Sequence, residues 1–252
     1  MRPPRGSVPS NTLSALFVGL TITAPAFAVA ATHARPLHLS TSGTNTGEPD
    51  PAGKLGVNQR EEETTDGQIA ARLQRGVRAY ENNRLDEAIA EFSAIIDSNP
   101  KSFQALYNRG NTYYHKGMMA EARDDYTAAI ELEPNISWMF ISRGSAYTGL
   151  GKLDLALSDF NEAVRLDPGN GAGYYNRGLL HFNAGRHAQA VEDQTVALRL
   201  DPTDVEAYTA RGAAYEKLNF RDQAIADYRK VLTLDRSNQI AAGRLKKLGL
   251  DP

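Results

Sequence analysis

The amino-acid sequence predicts an all-α solenoid built from stacked helical hairpins. Three observations lead to this prediction. An Arg-Gly pair recurs every 34 residues, at 75–76, 109–110, 143–144, 177–178 and 211–212. Apolar residues within each unit are spaced three and four apart, which is the period of an amphipathic helix. A Gly or Asn divides each unit into two such stretches, so each unit is expected to be a pair of helices joined by a tight turn.

The chain begins with a segment that is typical of a secretory signal peptide. Two arginines precede an apolar run at residues 13–24, which leads into the small-x-small site Ala26-Phe27-Ala28. The run is shorter than the roughly 20 residues that cross a bilayer. We therefore expect an exported, periplasmic or secreted protein whose residues 1–28 are removed after Ala28. Cleavage after Ala30 and retention of the segment as a membrane anchor are the alternatives.

Residues 29–66 are predicted to form a flexible linker. They are rich in Ser, Thr, Gly and Pro, and they show neither a helical nor an alternating apolar period. His33 and His38 lie in this stretch, but no third ligand accompanies them, so we predict no metal site there.

Five units of 34 residues then follow without an insertion, within residues 67–238. The turn residue of each unit accepts the left-handed conformation that ends a helix, and a proline closes each of the first four units. A last apolar stripe predicts that residues 239–252 contain a capping helix and a short tail. The predicted units are 69–102, 103–136, 137–170, 171–204 and 205–238.

Two positions in each unit predict how the helices of a hairpin approach. The Gly of the Arg-Gly pair has no side chain to hold the helices apart. A small residue also recurs on the second helix, and we expect it to be the small partner that lets the two helices approach. The residues are Ala88, Ala122, Ala156, Ala190 and Ala224.

This pattern resembles the tetratricopeptide repeat (TPR) family, whose 34-residue motif places large apolar residues, Gly, Tyr, Ala, an aromatic residue and Pro at fixed offsets. The resemblance covers the five units. It implies an all-α, right-handed α-solenoid of five TPR helical hairpins plus a C-terminal capping helix. The sequence departs from the motif at Arg72 and Ala79 in the first repeat, Gln194 in the fourth and Arg236 in the fifth.

Each arginine of the Arg-Gly pairs is followed by an acid sixteen residues later. Because the turn residue lies midway between them, the two side chains should stand level in an antiparallel hairpin. We predict five structural ion pairs, within a hairpin or between adjacent hairpins; an arginine row for anionic ligands is the alternative. The predicted pairs are Arg75 with Glu91, Arg109 with Asp125, Arg143 with Asp159, Arg177 with Asp193 and Arg211 with Asp227.

The resemblance also implies that the first helix of each hairpin lines a concave groove. The groove positions of repeats two to four carry several aromatic residues and almost no charge, which predicts a site for a protein or peptide. The predicted groove residues are Tyr107, Asn111, Tyr114, Trp138, Ile141, Tyr175, Leu179 and Phe182. The Lys and Asn set with which some family members clamp a peptide carboxylate is matched only at Asn111.

Composition argues against other classes of function. Lys and Arg number 28 against 30 Asp and Glu, which leaves no basic excess for a nucleic acid. The chain has no cysteine, and its five histidines are scattered, so we expect no catalytic residue, metal or cofactor. His181 stands where other repeats have Tyr and is expected to be a core residue.

Together these features predict a non-catalytic protein-protein interaction scaffold of the cell envelope. The alternative is an adaptor that presents substrates to an envelope protease or cell-wall enzyme. The predicted partners are a protein or a peptide and no nucleic acid, with the membrane involved only if the N-terminal segment is kept as an anchor. The sequence has no feature that fixes an oligomeric state.

Overall fold

A computed structural model describes residues 56–251, with side chains from residue 67 onward. The predicted signal peptide, its cleavage site and residues 29–55 of the predicted linker lie outside the described residues. The described residues form eleven α-helices and no strand. The helices are α1 Gly56–Glu81, α2 Leu85–Ser98, α3 Phe103–His115, α4 Met119–Leu132, α5 Ser137–Gly149, α6 Leu153–Leu166, α7 Gly171–Asn183, α8 His187–Leu200, α9 Val205–Lys217, α10 Arg221–Leu234 and α11 Gln239–Lys247.

The helices follow the 34-residue period. Helices α3, α5, α7 and α9 begin at the first residues of the second to fifth predicted repeats, and α11 begins one further period along the chain. Each pairs in an antiparallel hairpin with the next helix, except α11, which packs alone on α10. The predicted all-α solenoid with a capping helix is confirmed.

The first helix is longer than predicted. Helix α1 begins at Gly56, so residues 56–66 are helical and do not belong to a linker, which corrects the boundary placed at residue 66. The stretch has no apolar stripe, and this absence led to the linker prediction. It does contain Gln, Arg and three successive Glu, which have high helix propensity. Because the first repeat already forms the nucleus of α1, extending that helix toward the N-terminus needs no new nucleation.

The turn between the two helices of every hairpin uses a residue with positive φ. Asn83 and Asn219 have φ of 58° and 61°, and glycines take the same place in the three inner repeats with φ between 71° and 80°. Asn and Gly tolerate this left-handed conformation, whereas a residue with a branched side chain would be strained. The turn prediction is confirmed in all five hairpins.

The closest contact within each hairpin differs from the prediction. A Cβ atom added to Gly76 would lie 2.5 Å from the ring of Phe92, and one added to Gly144 would lie 2.7 Å from Phe160. The partner of the Gly is therefore the large residue sixteen positions later, and the expected alanine partner is wrong. The alanines of that set are buried elsewhere along the second helix.

The order of contacts places the first helices on the inner side of the solenoid. Each first helix contacts the first helix of the next hairpin, as α3 does with α5 and α5 with α7. Each second helix packs on the first helix of the following hairpin. A concave surface lined by α1, α3, α5, α7 and α9 results.

Candidate functional site

The arginines of the five Arg-Gly pairs form a repeated set of contacts, here called the arginine ladder: Arg75, Arg109, Arg143, Arg177 and Arg211. The last four each donate from Nε and Nη2 to the two carboxylate oxygens of the Asp sixteen residues later, over 2.7–2.9 Å. Arg75 makes the same two bonds to Glu91 at 2.8 and 3.1 Å. Each of the five pairs joins the two helices of its own hairpin. The sequence had left open whether the pairs form within a hairpin or between adjacent hairpins.

The pairs of the last four repeats are largely removed from water. Their Asp residues are only 4–6% exposed, and aromatic rings flank the guanidinium groups. The guanidinium carbon of Arg143, for example, lies 5.5 Å from the ring centre of Phe140 and 5.9 Å from that of Tyr147. Such pairs hold a defined geometry because both partners would be costly to leave alone. The hydrogen bond from Arg75 to Glu91 lowers the pKa of that carboxyl, although this first pair is more exposed.

The last four ladder arginines also donate a hydrogen bond to the preceding hairpin. Nη1 of Arg109 donates to Ser93 at 3.0 Å, and Nη1 of Arg211 donates to Thr195 at 3.2 Å. The contact of Arg177 is with the side-chain oxygen of Asn161 at 2.9 Å, and that of Arg143 with Thr127 is the longest at 3.5 Å. The second helix of each of the first four repeats thus supplies a hydroxyl or amide oxygen for the next arginine. The ladder is a structural element that joins the repeats in series.

The most elaborate part of the concave surface lies in repeats two and three. We call it the aromatic cluster: Tyr107, Asn111, Tyr114, Tyr126, Trp138 and Ser142. The rings of Tyr107 and Trp138 meet edge to face with centres 4.2 Å apart. The hydroxyl of Tyr107 lies 3.2 Å from Oγ of Ser142, and the hydroxyl of Tyr126 donates to Oδ1 of Asn111 at 2.8 Å.

The electrostatics of the cluster favour neutral phenols. Burial raises the pKa of Tyr107 and Tyr114 and raises that of Tyr126 well above its ordinary value. The phenols therefore keep their protons over the whole physiological pH range, and that of Tyr126 donates to Asn111. Trp138 remains half-buried between this network and the core.

The other predicted groove residues divide into two kinds. Ile141 and Leu179 are only 7% and 8% exposed and belong to the core, so their assignment to an open groove is corrected. Ile141 lies in the same core cluster as Phe140 and Leu180. Tyr175 and Phe182 are half-buried, and Phe182 packs against His187 with ring centres 5.2 Å apart.

The fourth repeat departs from its neighbours in the core. Gln194 stands in the place of an aromatic residue, is 1% exposed and donates to the carbonyl oxygen of Tyr175 at 3.1 Å, while its Oε1 has no protein partner. His181 is buried and accepts from Nε of Arg186 at Nδ1 over 2.9 Å. Burial lowers the pKa of His181, although the nearby Asp193 carboxylate acts in the opposite direction.

The described part of the chain has neither a clustered metal site nor a helix suited to span a membrane. Residues 67–251 contain no group of three or more His, Asp or Glu side chains arranged to hold a metal ion. Among the helices from α1 to α11, none is both long and apolar enough to cross a membrane.

Some functional partners were missed by sequence reasoning. Ser142 and Tyr126 complete the aromatic cluster, and the hydroxyl and amide side chains of the second helices complete the ladder. The ladder acceptors did carry a signal, because Ser93, Thr127, Asn161 and Thr195 recur at the 34-residue period. Ser142 carried none, since its contact with Tyr107 is made at one repeat junction. Tyr126 stands at the periodic aromatic position of the second helix, but nothing in the sequence indicated its hydrogen bond to Asn111.

Sequence profiles described as tetratricopeptide repeat match residues 73–135 and 141–205, and a second profile of the same description matches 205–238. No curated protein matches the sequence.

Many solved structures share the fold. YrrB, described as a TPR protein with an unusual peptide-binding site, is 22% identical with a TM-score of 0.59, and the match covers 77% of this chain and all of that one. TTC0263 from Thermus thermophilus is 25% identical with a TM-score of 0.59 over 71% of this chain and 97% of its own. MamA from Desulfovibrio magneticus RS-1 is 19% identical with a TM-score of 0.61 over 68% of this chain and 97% of its own.

Proposed function

The chain belongs to the tetratricopeptide repeat family, and on that premise we propose that it is a non-catalytic scaffold that holds a partner protein or peptide against its concave surface. Repeats of this family serve as surfaces for protein binding, since stacking leaves one long face of first helices open. The site that we assign to the partner is the partly exposed part of the aromatic cluster together with the half-buried Tyr175 and Phe182. Within the cluster, Tyr126 and Ser142 are buried and support the site through their hydrogen bonds to Asn111 and Tyr107.

One observation carries the assignment. Trp138 is only partly buried although it packs edge to face on Tyr107, whose hydroxyl lies within hydrogen-bond distance of Ser142. Rigid, partly exposed aromatic side chains lose little conformational entropy on binding and are the commonest anchors of interfaces. Phe140 and Phe160 lie in the buried core of the same hairpin, whereas Tyr107 and Trp138 pack on the edge of that core and keep part of each ring exposed.

The experiment uses the single tryptophan of the chain as the reporter. A partner captured from cell-envelope extract is purified and titrated, and the emission of Trp138 is followed. We expect a change in emission on binding, and we expect Trp138→Ala to weaken the affinity by about 2 kcal/mol, as for a central interface residue.

Leu155→Ala is the control, because Leu155 is an exposed apolar residue on the second helix of the same repeat. Trp138→Ala also removes a packing partner of Tyr107, so thermal stability is measured on both variants. Unchanged affinity with a lower melting temperature for Trp138→Ala would remove this surface from the binding site.

We also propose that the scaffold acts in the cell envelope. The support is the N-terminal sequence, with its short apolar run and the Ala26-Phe27-Ala28 site. Mass spectrometry of the protein purified from its source is expected to give Val29 as the first residue. A secreted form that retains Met1 would contradict export by a cleaved signal peptide.

A further inference from the structure

The last repeat breaks the arginine ladder in a specific way. Position 229 is equivalent to Ser93, Thr127, Asn161 and Thr195, the residues that accept a hydrogen bond from the next arginine. Here it is Arg229, whose side chain is a donor that cannot serve as an acceptor. The next ladder position, on α11, is Leu245, so the row ends at this point.

A second arginine of the last repeat, Arg236, also departs from the repeat pattern. Arg236 occupies the place of the prolines that close the first four repeats, yet α10 ends at the equivalent residue, Leu234. The Asp235 carboxylate accepts from the backbone N–H of Ser237 at 2.9 Å, as Asp167 accepts from Gly169 and Asp201 from Thr203. The arginine is therefore not required for the turn.

These two arginines border a cavity between α10 and α11. Its volume is about 360 Å³, and it is lined by Arg229, Leu232, Thr233, Arg236, Leu245 and Asp251. Both arginine side chains are exposed, and neither guanidinium has a hydrogen bond or an ion pair with another described residue. Leu245 is almost fully buried and Leu232 partly so, which gives the cavity an apolar floor beneath two guanidinium groups.

The last repeat and the capping helix carry a net positive charge, the same sign as that of the two arginines. Residues 205–251 carry nine Lys and Arg against six Asp and Glu, whereas residues 103–204 carry nine against thirteen. The guanidinium groups of the ladder are all paired with carboxylates, whereas those of Arg229 and Arg236 are not. Two such groups above an apolar floor are complementary to a ligand that carries a carboxylate next to an apolar side chain.

We propose that this cavity, here called the end site, binds an acidic peptide segment of a partner protein. Carboxylates of the segment accept hydrogen bonds from Arg229 and Arg236, and an adjacent apolar side chain rests on Leu232 and Leu245. The end site is separate from the concave surface of the proposed function. It lies at the position to which the arginine of a sixth hairpin would reach back if the ladder continued.

A second copy of the chain does not fit this role. If the stack continued from one molecule into the next, the register of the ladder would bring Arg75 of the second molecule against Arg229 of the first. Arg75 is half-exposed, and Arg72 lies beside it, so the contact would place like charges together.

The test measures binding of a labelled, blocked peptide of alternating Glu and Leu by fluorescence anisotropy. A peptide with Lys in place of Glu is the ligand control. We expect the acidic peptide alone to bind, with an affinity that falls as salt is added. Arg229→Thr and Arg236→Pro restore the residues of the other repeats, so both variants should fold, and each should weaken binding by about tenfold.

Two further variants sharpen the result. Asp251→Asn removes the one acid of the lining and should strengthen binding, whereas Lys247→Ala removes a positive charge outside the cavity and should leave it unchanged. Trp138→Ala should also leave it unchanged, which separates failure of the end site from failure of the concave site.

Three outcomes would overturn the proposal. The first is equal binding of the acidic peptide to the wild type and to folded Arg229→Thr and Arg236→Pro variants. The second is displacement of the peptide by inorganic phosphate at equal concentration, which would show a site for bare anions. The third is a wild-type dimer, seen by analytical ultracentrifugation, that these variants dissociate.

Discussion

Deleting one carboxylate of the arginine ladder is expected to destabilise the solenoid strongly. Asp125 is 6% exposed and accepts two hydrogen bonds of 2.8 Å from Arg109. Breaking a buried pair from one side costs about 3–5 kcal/mol, and because one fifth of the Arg109 side chain is exposed and can recover water, we expect about 3 kcal/mol for Asp125→Ala. Arg109→Ala should cost about the same, since it leaves the carboxylate buried and alone.

The double variant separates the pair from its surroundings. With both side chains removed no charge is left stranded, so the double variant should cost about 2 kcal/mol less than the two single variants added together. Exchanging Arg109 and Asp125 keeps an ion pair but loses the hydrogen bond from Arg109 to Ser93. The exchange should therefore lower the free energy of unfolding by about 1 kcal/mol beyond any change in the pair itself. Urea unfolding followed by circular dichroism measures all of these free energies.

The matched control is the exposed pair of Arg165 and Glu162 on α6, which has the same bidentate geometry. Its coupling energy should be much smaller than that of Arg109 and Asp125, because water screens both charges. Additive costs for Arg109→Ala and Asp125→Ala, within about 0.5 kcal/mol, would refute the view that the ladder is a set of buried, coupled pairs.

Three more predictions concern single positions. Gln194→Phe should raise the free energy of unfolding by about 1–2 kcal/mol, because it replaces a buried amide with an unpartnered oxygen by the ring that Phe160 supplies in the preceding repeat; a loss of stability in urea would contradict this. Ser93→Ala should cost about 1 kcal/mol and Thr127→Val less than half of that, because the bonds to the next arginine are 3.0 and 3.5 Å; equal losses would show that these contacts do not join the repeats. Burial lowers the pKa of His181, so the unfolded chain binds a proton there more readily than the folded protein does, and the contribution of the neutral His181 to stability is present above about pH 6.5 and lost as the pH falls. His181→Tyr should therefore reduce the loss of stability between about pH 7 and pH 5 in thermal melting, and identical pH profiles of the variant and the wild type would refute the assignment.

The repeated features of the fold could be predicted from the sequence because each is encoded several times. The turn residues, the Arg-Gly pairs and the acids recur in register, and the structure brings Arg109 to Asp125 in the way that equal distances from a turn require. Local period alone failed at residues 56–66, where a helix continues outward from a folded repeat without an apolar stripe of its own.

The candidate site was less predictable, because it depends on contacts made once. Trp138 and Tyr107 lie on different hairpins, and the depth at which each ring sits is set by the packing of α3 on α5. Position within a helix predicted a groove role for both residues, and both are partly exposed. It could not distinguish Ile141, which is buried in the core, from a residue that stays open.

The backward reach of each ladder arginine gives the solenoid a polarity. Every inner guanidinium draws its acid from its own hairpin and its third contact from the hairpin that precedes it in the chain, never from one that follows. A chain that emerges from its amino end, during synthesis or translocation, can therefore complete each hairpin with residues that are already present. Shortening the protein from its carboxyl end at a repeat boundary leaves every remaining arginine fully bonded, whereas shortening it from the amino end leaves the new first arginine without its acceptor.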